Sequence, residues 1–340
     1  MSRNHLIDAL KVLASQLIVV HHLAAYGPLS DVWDAAATAS SDWFFEYGRM
    51  AVQIFLVTGG YLAAQGIAGK MSPRCFNVFV VVLNRYLRLA PPLVAALAIA
   101  IPSAMLARHW SSFQFFPASP TWDQVLAHAL LIQTLTGHDS LSAGVWYVAI
   151  DFQLFILINA LALLGPTWLR LAVVGLTLAS LFVFNLIPAL DTWSIYFFGA
   201  YGLGATAYWV GGSKRPVRTL CGLLLIGVFA LLVDFRERIA LAVCTAIVLG
   251  IEQASRQWRR HFHPNSPGIF VPLAWLADRS YALFLVHFSL VMIGNSWYAR
   301  SGSTSSLDGA LVILGCWLLS QVLAIGFHKW VERPLSRLRY

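Results

Sequence analysis

Apolar runs long enough to cross a lipid bilayer recur along the whole chain, and no other feature constrains its fold so tightly. Only helices and closed barrels satisfy their own backbone in hydrocarbon, and runs of this length without alternation are helical. Spans are expected near residues 6–26, 44–65, 90–107, 145–165, 170–187, 193–211, 218–234, 239–255, 271–297 and 307–328. Basic residues collect on the cytoplasmic side of membrane proteins, which tests that count. With ten spans and the amino terminus inside, the inner side receives Arg3, Lys70, Arg74, Arg85, Arg88, Arg170, Lys214, Arg215, Arg218 and the basic groups near 256–260 and 329–339. The outer side keeps Arg108, Arg236, Arg238 and Arg300. Counting the amphipathic stretch Trp122 to Leu135 as a span would send Lys214, Arg215 and Arg218 outside, so it stays out. The expected fold is an all-α polytopic membrane protein, a bundle of about ten transmembrane helices with both termini cytoplasmic and one domain over 1–340.

Composition agrees. Charged residues make up 11% of the chain, where a soluble domain carries about 25%, so a water-soluble globule is excluded. The net charge of +8 sits at the ends of apolar runs, a pattern of topology and acidic headgroups rather than of a nucleic-acid partner. Cys75, Cys221, Cys244 and Cys316 show no CxxC or Cys/His spacing, so neither a disulfide framework nor a metal site is expected. The first span is too polar for a cleaved signal and is expected to be retained. Residues 27–42 hold Asp31, Asp34 and Asp42 without Lys or Arg and read as an outer loop. Gly199, Gly202, Gly204 and Ala205 mark close helix packing. The basic stretch Ser255 to Pro264 reads as an inner loop with His261 and His263 at its surface.

Ionisable groups inside spans are costly and normally face protein or a wet cavity. Lys11 and His22 lie on nearly one face of the first span, about 16 Å apart along the axis. Either they are structural or they line a reaction path; His21, about 100° away, reads as a packing residue. Arg85 and Arg88 share a helix face before Pro91–Pro92, where a break is expected. Such a pair suits phosphate, whether of a ligand or of lipid headgroups. Asp151, below Trp146 and Tyr147, is placed either to orient an imidazole or to pair with Arg49. His287 is a second intramembrane imidazole with the same two readings. Glu332, among Lys329, Arg333 and Arg337, reads as an ion-paired carboxylate.

The order of these signals carries a resemblance. The chain resembles the acyltransferase-3 family of integral membrane acyltransferases over nearly its full length. The matching pieces are Lys11–x10–His22, Ile54 to Leu62 (IFLVTGGYL), Arg85–x–x–Arg88, Trp146–Tyr147 with Asp151, Ser280 to Leu290 (SYALFLVHFSL), and Trp330–Val–Glu332–Arg333–Pro334. Lys11 stands where the family more often has Arg, Thr58–Gly59–Gly60 replaces Ser-Gly, and Asp151 replaces Glu. The resemblance implies transfer of an acyl group, most often acetyl, from cytoplasmic acyl-CoA to a sugar hydroxyl at the outer face. Arg85 and Arg88 would hold the CoA phosphates and Lys11 would line the way for the pantetheine arm. His22 would act as general base or as transient acyl carrier, with Asp151 orienting it; Tyr147, His287 and Glu332 are further candidates. No metal is implied. The expected partners are acyl-CoA, a glycan or glycolipid acceptor and membrane lipid, in a bacterial cytoplasmic membrane. A lipid or small glycoside acceptor remains open, as does a transporter or flippase using Lys11, His22, Asp151 and His287 as a proton relay.

Overall fold

A computed structural model describes residues 3–70, 77–259 and 271–337; Arg74, Cys75, His261, His263 and Arg339 lie outside them. The described residues form helices and no strand. In chain order these are α1 (His5–Ala25), α2 (Gly27–Tyr47), α3 (Val52–Lys70), α4 (Val78–Trp110), α5 (Trp122–Ala129), α6 (Trp146–Leu161) and α7 (Pro166–Phe182). There follow α8 (Ser194–Val210), α9 (Pro216–Val233), α10 (Glu237–Arg259), α11 (Val271–Ala277), α12 (Ser280–Ser301), α13 (Ser306–Phe327) and α14 (Arg333–Leu335). Among the described residues nine helical stretches are long and apolar enough to cross a membrane. The further span expected over 193–211 is the 17-residue α8.

Three local expectations change. Residues 27–42 are helical, with a kink at Ala37, and not a loop. Pro28 sits in the first turn of α2, where its missing N–H costs nothing, and Leu29 N–H donates to Asn295 Oδ1 at 3.0 Å. The acidic side chains that lowered hydropathy point outward: Asp31, Asp34 and Asp42 are exposed. α4 does not break at Pro91–Pro92 but runs through both. Within hydrocarbon a continued helix leaves fewer unsatisfied groups than an opened one, and the Tyr281 hydroxyl donates to Leu89 O just ahead of the pair at 2.9 Å. The span expected over 271–297 is divided into α11 and α12 by a turn at Asp278–Arg279.

The chain divides into two compact units: residues 1–10, 52–83 and 150–274 in the first, and 11–51, 84–149 and 275–340 in the second. In the first unit α8 packs against α3, α7 and α10, and the small residues read from the sequence explain how. A Cβ on Gly60 would run into the Tyr201 carbonyl, and one on Gly204 into the Val57 carbonyl. α3 and α8 therefore cross backbone to backbone. Gly202 faces Thr177 Oγ1 and Gly199 faces Leu181. Ser180 ties α7 to α8 by donating to Tyr196 O and accepting from Gly199 N–H. In the second unit α12 packs on α13 and α2 and is buried along most of its length.

Candidate active site

α1 carries His22 into the second unit, where the side chain is buried, and α12 brings up His287, which is fully buried. His22 Nδ1 lies 2.7 Å from His287 Nε2. The two rings are 3° from parallel with centroids 5.0 Å apart, as expected for imidazoles joined edge to edge in one plane. The proton positions follow from the next link. His287 Nδ1 is 2.9 Å from Leu283 O, and a carbonyl only accepts, so Nδ1 carries the hydrogen. Neutral His287 thus has a bare Nε2, which accepts the N–H of His22 Nδ1. That leaves His22 Nε2 with its lone pair. One backbone carbonyl on α12 has set the tautomer of a side chain on α1.

Aromatic rings surround the pair: Tyr26 and Phe288 lie 5.6 and 5.5 Å from the His22 ring. His21 is engaged elsewhere, its Nδ1 bonded to Phe44 O at 3.0 Å. Its Cβ lies where a side chain at Gly48 would fall. The loop between α5 and α6 reaches the dyad at Gly144, which adopts φ +86°. A Cβ there would fall 3.1 Å from Phe284 Cζ and 3.9 Å from His22 Cε1. This is one position where glycine is required by both conformation and space. Tyr147, just beyond it, packs its ring 5.7 Å from that of Phe284.

Two devices hold that loop. α5 ends with Leu131 N–H on His128 O and Ile132 N–H on Ala127 O, at 3.1 and 2.9 Å. This paired closure places the next residue in the left-handed region and usually uses glycine; here it is buried Leu131 at φ 59°. His128 then bridges the loop, with Nδ1 donating to Gln124 O at 2.8 Å and Nε2 accepting from Leu141 N–H at 3.2 Å. Burial pushes the His128 pKa below the ordinary histidine value, in keeping with a neutral ring between a donor and an acceptor.

The cationic candidates lie on α1 and α4. Lys11 is half-buried on the same helix as His22; Arg85 is half-buried and Arg88 exposed, three residues apart on α4. Glu332, expected as an ion-paired carboxylate, has its Oε2 2.9 Å from His328 Nδ1 across one π-helical turn. Arg88 and Asp278 act on Glu332 electrostatically. Asp151 belongs to the first unit and is buried. A Cβ on Gly59 would come 3.2 Å from its Oδ1 and from the Tyr201 ring, so the glycine of Thr58–Gly59–Gly60 makes room for this carboxylate. The residues overlooked in the sequence are His128, Leu131 and Gly144. Of these only Gly144, in the turn-like Ser-Ala-Gly before Trp146, left a local trace.

A family model described as an acyltransferase domain matches residues 4–327, a stretch that runs through both units. Among curated proteins, "Regulator of hypoxia-inducible factor 1" from Caenorhabditis elegans is 23% identical over 412 aligned positions, covering 99% of this chain and 80% of that one. No solved structure matches.

Proposed function

The chain belongs to the acyltransferase-3 family, and from that premise we propose that it moves an acyl group, acetyl first, from cytoplasmic acyl-CoA to a hydroxyl of a cell-surface or secreted glycan. That it is an integral membrane acyltransferase follows from the family and the apolar helices; the match favours this reading over a transporter. The observation that carries the proposal is the buried pair of His22 and His287, joined at 2.7 Å.

In direct transfer, His22 Nε2 takes the proton of the acceptor hydroxyl as its oxygen attacks the thioester carbonyl. The carbon–sulfur bond then breaks, and the thiolate leaves with the proton returned from Nε2. The ring is charged in between, and the bond to His287 favours that state. Neutral His287 keeps its Nε2 as acceptor on the His22 Nδ1–H, and Asp151 is kept in the proposal as a further catalytic carboxylate. We assign positioning of the His22 ring to His287 as well. In the covalent variant Nε2 itself attacks the carbonyl, and the same His22–His287 bond positions it. Arg85 and Arg88 share one helix face and suit the CoA phosphates, to which a guanidinium can donate paired hydrogen bonds. Lys11 lines the way for the arm, Tyr147 borders the reacting centre and Glu332 with His328 braces the end of α13. Ten crossings, both termini in the cytoplasm, one catalytic domain over 1–340 and a bacterial inner membrane complete the proposal.

Purified protein incubated with labelled acetyl-CoA and a panel of glycans tests it. Label is expected on a glycan with wild type and none with a folded His22→Ala variant; unchanged transfer by that variant removes His22 from the mechanism. Arg85→Ala with Arg88→Ala is expected to weaken acetyl-CoA binding, and an unaltered titration would return both arginines to lipid anchoring.

A further inference from the structure

The second unit has a slot of about 320 Å³ between α1, α11, α12 and α13, which none of the acyl-transfer roles uses. Its walls include Val12, Leu283, Ile325 and the indoles of Trp275 and Trp317. The amides and the Trp317 indole N–H along it are spent on one another, and Ser15 Oγ donates to Val12 O at 2.9 Å. Gln16 Oε1 accepts from Trp317 Nε1 at 3.0 Å and from Gln321 Nε2 at 3.2 Å, and Gln16 Nε2 donates to Gln321 Oε1 at 3.1 Å. What the slot offers a ligand is therefore apolar surface.

Arg279, on the turn between α11 and α12, also borders it. The guanidinium lies over the Trp275 ring, 3.8 Å from its centroid, and one terminal nitrogen donates to Trp275 O at 2.5 Å. Its Nε is buried and has no acceptor among the described residues. Asp278 and Glu332 lie in electrostatic range, and Arg333 adds charge of the same sign as Arg279. A buried guanidinium N–H that lacks an acceptor costs free energy unless a ligand supplies one. Trp275, beneath it, is 42% and the next residue, Leu276, 38% exposed, an apolar surface that hydrocarbon would cover.

The geometry points to a bound anionic phospholipid whose phosphodiester accepts from Arg279 and whose acyl chain lies in the slot between α1 and α13. One guanidinium supplies a phosphate site with directional donors, and an indole beside it is the usual companion at the headgroup level. The chain would press on Leu283, the residue whose carbonyl sets the His287 tautomer.

Lipid binding needs no acyl transfer, so the test stands apart from the enzymatic reading. Delipidated protein is titrated with 1-palmitoyl-2-oleoyl-phosphatidylglycerol or the matching phosphatidylcholine in mixed micelles, with occupancy read by native mass spectrometry. Wild type is expected to bind the anionic lipid about fivefold more tightly, the effect of one cation near a charged headgroup. Arg279→Gln is expected to erase that preference and Arg279→Lys to keep part of it. Ile325→Trp, which fills the slot from its exposed rim, is expected to weaken both lipids. Equal affinity of wild type for the two lipids would overturn the proposal, as would a preference that survives Arg279→Gln or unchanged binding by Ile325→Trp. Displacement of the anionic lipid by coenzyme A alone would also overturn it, by assigning the phosphate contact to the acyl donor.

Discussion

The crossing of α3 and α8 in the first unit and the meeting of α1 and α12 in the second solve opposite problems. At the first, side chains are removed until backbones touch, with Gly60 against Tyr201 and Gly204 against Val57. At the second, two imidazoles are buried and each polar link is assigned a partner, from His22 through His287 to the Leu283 carbonyl. The first contact gains from dispersion and shape alone. The second carries desolvated polar groups that add little stability unless all are satisfied. Tight backbone packing suits a scaffold; costly polar burial with a defined tautomer is what the proposed site is built on.

Substitutions separate the two. His22→Ala is expected to lower acyl transfer by about a thousandfold, within the range for a lost general base, while leaving thermal unfolding in detergent near that of wild type. Gly204→Val is expected to do the reverse. Its side chain meets backbone that cannot rotate away, at a cost of about 3 kcal/mol, the upper end for overpacking, read as a lower unfolding midpoint. An unchanged midpoint would mean that the crossing is looser than described. His287→Leu is expected to cost roughly tenfold to a hundredfold in turnover, as for groups that orient a reacting ligand. His287→Gln should recover part of the loss, because an amide can still accept from Nδ1–H; equal losses would leave the imidazole no positioning role.

How much of this was legible follows the range of each interaction. Lys11 and His22 share one helix, so their common face could be read from 3.6 residues per turn, and the glycines of α8 announced a close crossing. The pairing of His22 with His287 joins residues 265 positions apart, and no local pattern encodes that. Residues 27–42 misled because hydropathy scored Asp31, Asp34 and Asp42 as loop-forming, when they are exposed side chains of a helix kinked at Ala37 and tied to α12 by Asn295. Pro91–Pro92 misled because helix breaking is a rule learned in water, whereas in hydrocarbon an interrupted helix exposes more unpaired backbone.

Smaller effects are expected in the loop that borders the dyad. His128 is held neutral, its pKa lowered by burial from 6.5. The unfolded chain therefore binds a proton at higher pH than the folded loop. The stability His128 contributes is fully present above its ordinary value and is lost as pH falls through the window below it. Hydrogen exchange at Leu141 should rise across that window, and His128→Gln should flatten the dependence. Leu131→Gly sets backbone strain against side-chain burial. Relief of the left-handed backbone returns about 1–2 kcal/mol, but emptying a fully buried leucine site costs about 2–5 kcal/mol. A small net loss in unfolding free energy is expected, and a gain would show that the strain at Leu131 outweighs the burial of its side chain.

The bond from His287 to Leu283 spans four residues of one helix, so α12 works as a ruler for proton placement. An inserted residue between them would swing the imidazole by about 100° and lift it by about 1.5 Å, stranding His22 with no fixed mate. Length changes elsewhere in the loops are cheap by comparison. Apart from His287 itself, the interval 283–287 therefore admits changes of side chain but none of spacing.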